Sequence, residues 1–112
     1  MSINSEADAQ AMLDKLRAID EKLNQPTVLF LFEYETDLGK RKAFNEARLK
    51  IATFIGEITN QKISDLLAGL KLNESSLLEG IENLNSEIET ANDTARILHG
   101  IENIVKILTA IF

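Results

Sequence analysis

The chain has 112 residues, of which 45% are hydrophobic and 27% charged, with a formal net charge of −6. That length suits one small domain with a high surface-to-volume ratio, and the acidic balance argues against nucleic-acid binding, which needs a lysine and arginine surplus on one face. With no cysteine, disulfides and thiolate metal sites are excluded and a reducing, cytoplasmic setting is expected, as it is from a polar, acidic start that lacks the pattern of a secretory signal.

The first expected element is a helix over 5–24. Ser5 precedes Glu6, Ala7 and Asp8 in a weak form of a capping box, and Ala9, Met12, Leu13, Leu16, Ile19 and Leu23 recur at helical spacing. The helix should stop at Asn24-Gln25-Pro26, because proline disfavours helical backbone in the residue before it. Pro26 is the only proline in the chain and can itself open the next helix.

The segment 27–38, TVLFLFEYETDL, reads two ways. As a strand it alternates, with Val28, Phe30, Phe32 and Tyr34 on one face, but no second strand is apparent to pair with it. The helical reading is therefore favoured, giving a long second helix over 27–71 with a kink at Gly39. Phe44, Ala47, Ile51, Phe54 and Ile58 carry its apolar stripe, which resumes after a skip near 59–61 at Ile63, Leu66, Leu67 and Leu70. Ala52 and Gly56 form a small-residue notch where a neighbouring backbone could approach.

A turn is expected between 69 and 76, with Gly69 as a left-handed cap, Asn73 as the next N-cap and Ser76 with Glu79 as a second capping box. From 73 to 112, Leu77, Ile81, Leu84, Ile88, Ala91, Ala95 and Leu98 keep unbroken four-three spacing. The run Thr90, Asn92, Asp93, Thr94 is the weakest point of this helix, yet the phase is the same on either side of it, which favours continuity. One helix of this span is about 60 Å long and needs a long partner. The expected fold is all-α: an elongated antiparallel hairpin of two long helices, coiled-coil-like, with a shorter N-terminal helix, completed by oligomerisation.

Past Leu98 the apolar surface widens. Ile97, Ile101, Ile104, Val105, Leu108 and Phe112 lie on a face too broad for one helical neighbour, leaving a narrow polar strip of His99, Glu102, Asn103, Lys106 and Thr109. These six residues, with the aromatic cluster Phe30, Phe32 and Tyr34, are the expected contact surfaces, the first of them for a second copy of the chain.

Chemistry is sparse. His99 is the only histidine, and Glu102 three residues on has no accompanying ligand set. Glu33, Glu35 and Asp37 alternate, which places them on different sides of a helix, and there is no phosphate loop, nucleophile elbow or zinc spacing. The expectation is thus a non-enzymatic interaction module without cofactor or metal, forming a homo-oligomer or binding another protein. Two rival readings are a membrane-active protein that exposes its final helix and the 28–32 run, against which the lack of a basic face counts, and a small acidic inhibitor using Glu79, Glu82, Glu87 and Glu89.

Overall fold

The computed structural model describes residues 3, 5–61, 63–90 and 93–111. Among them are six α-helices and no strand: α1 (Glu6–Leu23), α2 (Pro26–Glu33), α3 (Leu38–Asn60), α4 (Ile63–Leu72), α5 (Glu74–Thr90) and α6 (Thr94–Ile111). They pack into a body of 44 × 24 × 21 Å.

α1 forms where its periodicity places it. The Ser5 hydroxyl accepts the Asp8 amide at 3.3 Å, occupying one of the donors a helix start leaves open. All six stripe residues, from Ala9 to Leu23, are buried. They lie against α5, α4 and α3.

The expected long second helix is three helices. α2 begins with Pro26 in its first turn and ends after Glu33, so 27–38 is helical in its first part and irregular in its last. The break falls at 34–37 rather than at Gly39, because Asp37 makes a better start signal. Its carboxylate accepts the amides of Gly39 at 2.9 Å and Lys40 at 3.2 Å, capping α3. The Phe32 ring stacks on Phe44 with centroids 3.8 Å apart, which folds α2 back onto α3. Arg48 joins α1 to this pair: it sits 5.1 Å from the Phe44 centroid and donates to Asn24, the residue that closes α1.

The turn expected at 69–76 narrows to Asn73. Gly69 stays helical, the Asn73 side chain donates to the Gly69 carbonyl at 2.8 Å, and the Leu77 amide bonds the Asn73 carbonyl at 2.9 Å. Ser76 and Glu79 consequently lie inside α5 and cap nothing.

The continuous helix expected over 73–112 is two helices packed on each other. Asp93 accepts the Arg96 amide at 3.2 Å and its carbonyl takes the Ile97 amide, so a fresh N-terminus starts here. Ala91, part of the expected seam, lies outside the described residues. The phase does reset. α6 buries Ile97, Ile101, Ile104 and Leu108 completely, a stripe one residue out of step with the expected seam, of which Leu98 is buried and Ala95 exposed. Close approach of α5 and α6 is allowed by Gly80 and Gly100, where an added Cβ would stand 3.3 Å from Asn103 Nδ2 and 3.1 Å from Leu84 Cδ1. A straight helix of about 60 Å would overrun the 44 Å body; two shorter helices bury each other's stripes instead.

Candidate functional site

The broad stripe of α6 is not a free surface. Ile97, Ile101, Ile104 and Leu108 are fully covered by the chain's own α5, α3 and α4, and Val105 is partly buried against the same core. Phe112 lies outside the described residues. Four of the six residues expected to meet a second copy are thus turned to three neighbours within the chain.

The aromatic cluster divides. Phe32 is buried in the stack on Phe44 and belongs to the core. Phe30 and Tyr34, one helical turn apart on the outer side of α2 and its C-cap, are 54% and 80% exposed. Two residues join them on α3, Leu38 at 71% and Leu49 at 68% exposed. Leu72, at the end of α4, is the remaining large hydrophobic side chain in this condition among the described residues. Four of the five therefore belong to α2, its C-cap and α3, two helices that pack on each other. Single exposed leucines are ordinary, but several on adjoining elements mark a contact surface. The signal in the sequence was the off-stripe position of Leu38 and Leu49, both outside the phase of Phe44, Ala47 and Ile51.

Charge is arranged around this edge. On α3, Lys42, Glu46, Lys50 and Glu57 are exposed, two of each sign, whereas Lys40, Arg41 and Arg48 are half-buried. α5 carries Glu74, Glu79, Glu82, Glu87 and Glu89 and no basic residue. The Ala52–Gly56 notch is outward-facing: both residues are exposed and a Cβ at Gly56 would meet nothing within 4 Å. Among the described residues, no element covers it.

Two of the three carboxylates that alternate in sequence, Glu35 and Asp37, have structural work. Glu35 accepts the Thr94 hydroxyl at 2.6 Å, tying the α2–α3 link to the first turn of α6, and also the Asp37 amide at 3.2 Å. These hydrogen bonds, that from Thr94 first, hold its pKa below the ordinary carboxylate value. Asp20 is shifted the other way: burial raises its pKa, partly offset by the Arg48 charge, and its Oδ1 is buried without a hydrogen bond. His99 and Glu102 are exposed on α6. Among the described residues no group of three or more His, Cys, Asp or Glu is placed to hold a metal ion, and no helix is long and apolar enough to cross a membrane.

The cavities are open grooves between helices. One of them, about 750 Å³, lies between α3, α4 and α6 and is lined by residues including Phe54, Asp65 and Thr109. One of about 430 Å³ between α5 and α6 is lined by Asn73, Asn83, Asn103, Glu79 and Lys106. Neither combines a hydrophobic enclosure with converging polar groups, the usual build of a small-molecule site.

Comparison with protein-family models, with curated proteins and with solved structures finds no match for this chain.

Proposed function

We propose that this chain is a non-catalytic protein-interaction module, working in a reducing, cytoplasmic setting, whose contact surface is the α2–α3 edge rather than its final helix. The observation that carries the reading is that Phe30, Tyr34, Leu38 and Leu49, all on the adjoining α2, its C-cap and α3, are more than half exposed, in a chain whose other apolar stripes are buried. Tyrosine and phenylalanine supply large contact area at a low entropic cost, and are enriched where proteins meet. Acidic charge elsewhere, above all on α5, keeps the remaining surface solvated and discourages contact there.

Site-directed photocrosslinking in cells tests this. A photoreactive side chain at position 34 or 49 is expected to give discrete protein adducts, and one at position 82, on the acidic face of α5, none. Equal labelling from all three positions, or none from 34 and 49, would overturn it.

A further inference from the structure

The outward face of α3 carries a pattern that identifies its occupant. At 100° per residue, Leu38, Asn45, Leu49, Ala52 and Gly56 fall on one line along the helix, and Lys42, Glu46, Lys50, Thr53 and Glu57 on a line beside it. Every one of these ten residues is exposed. Leu49 stands at the midpoint of Leu38–Asn60.

We infer that this face pairs with the same face of a second copy, two α3 helices running antiparallel about a two-fold axis at Leu49. The inference rests on the interaction reading above and names the partner. A two-fold axis there sets each Leu49 against the other and brings residues together whose numbers sum to about 98. Lys42 then lies beside Glu57 of the second copy and Glu46 beside its Lys50, each within about 3 Å along the axis. Each pair occurs twice, so four opposite-charge contacts form against a single like pair, Lys50 with Lys50 of the second copy across the axis. Parallel pairing about an axis along the helices would instead put the two charged rows on opposite sides of the contact, where neither meets the other.

The same arithmetic explains why α3 and not α5 takes this role. A chain of charge −6 repels its own copy over most of its surface. The outer row of α3 is locally neutral, two lysines against two glutamates, whereas α5 presents carboxylates alone. Lys42 and Glu46 make only a loose 4.0 Å contact within the chain, with side chains 80% and 63% exposed, so both are free to turn to a partner. The notch also finds an occupant. α2 lies along α3 beside Arg41 and Asn45, with which its Leu29 and Glu33 share a cavity. The antiparallel register brings that helix, with exposed Phe30 and Tyr34, alongside Ala52 and Gly56 of the second copy. Small side chains there leave room for close approach. A face about 34 Å long, widened by α2 over half of it, offers on the order of 600 Å² per copy, at the low end for specific interfaces. The dimer is accordingly a weak, concentration-dependent one.

Sedimentation equilibrium of the full chain over a wide concentration range tests the inference, with circular dichroism on each variant to confirm native helicity. The wild type is expected to show a monomer–dimer equilibrium. Lys42→Glu should raise its dissociation constant about tenfold, since two attractive pairs become repulsive, and Glu57→Lys alone should do the same from the other side. The double variant Lys42→Glu/Glu57→Lys should regain the wild-type value. Because the chain has no cysteine, Leu49→Cys should form an interchain disulfide under mild oxidation and Ser86→Cys, on α5, should not. A wild type that stays monomeric, a dimer indifferent to either single reversal, a double variant no tighter than the singles, growth beyond dimers, or equal bridging from position 86 would each overturn it. If the chain is monomeric but crosslinks persist from positions 34 and 49, the second copy is the wrong occupant and the interaction reading stands; with neither, both fall.

Discussion

The final helix and the α2–α3 edge are both rich in large apolar side chains, and the molecule treats them in opposite ways. α6 buries Ile97, Ile101, Ile104 and Leu108 completely, because α5, α3 and α4 surround it on more than one side. α2 is only eight residues long and has α3 as its principal neighbour, so one side of it, with Val28 and Phe32, goes inward while Phe30 and Tyr34 stay in solvent. The lesson is that the width of an apolar stripe counts the neighbours a helix needs and does not say whether they come from the same chain.

The largest expected effect breaks that contrast most directly. Ile104→Ala should lower unfolding free energy by about 2–5 kcal/mol, from lost burial and the cavity left behind, whereas Tyr34→Ser should stay within about 0.5 kcal/mol. Urea denaturation followed by far-ultraviolet circular dichroism checks both. Comparable losses at the two positions would mean that the edge is part of the core. Next in size is Gly100→Ala, whose new methyl would stand 3.1 Å from Leu84 Cδ1; separating α6 from α5 should cost about 1–3 kcal/mol, and a neutral or stabilising result would show that the two helices have slack between them.

The smallest effects are electrostatic and carry opposite signs. Burial raises the Asp20 pKa from its ordinary 3.8, so the folded state holds that proton more tightly than the unfolded chain does. The associated stability is present below the unfolded value and is lost as pH rises through the folded one. Asp20→Asn should therefore raise the denaturation midpoint at neutral pH, with the gain shrinking as pH falls into the carboxylate range. Glu35, with its pKa lowered by the Thr94 hydroxyl and the Asp37 amide, behaves in the reverse sense: its contribution is present above the ordinary carboxylate value and disappears as pH falls through the folded pKa. Glu35→Ala should loosen the tie between edge and final helix slightly at neutral pH and not at all in acid. Midpoints measured for both variants across that range would sink the assignment if they moved in the same direction.

How much of this was legible in advance differs from element to element. α1 could be read in full, since Ser5 caps it, Pro26 limits it and its stripe has one phase. The core face of α3 was equally plain in Phe44, Ala47, Ile51 and Ile58. The fold back between α5 and α6 was not, because Ile97 and Leu98 are adjacent and both apolar, so the last helix can be read in either of two phases and the continuous one looks unbroken. The break before α3 was obscured by the aromatic run, although Asp37 followed by Gly39 and Lys40 is a capping signal when taken alone. Of the nine residues first expected to form contact surfaces, Phe30 and Tyr34 stand clear of the core; separating them from Phe32 required knowing that Phe44 would take the latter's ring.

The exposed tyrosine has a spectroscopic consequence. Tyr34 is the chain's only tyrosine and there is no tryptophan, so ultraviolet-excited emission of the native protein comes mainly from a ring that already lies in water, on the edge where contact is proposed. Unfolding should leave that emission almost unchanged, while anything that settles on α2 should alter its intensity and its accessibility to a soluble quencher. The protein thus carries its own optical label for association, one nearly blind to the state of the core.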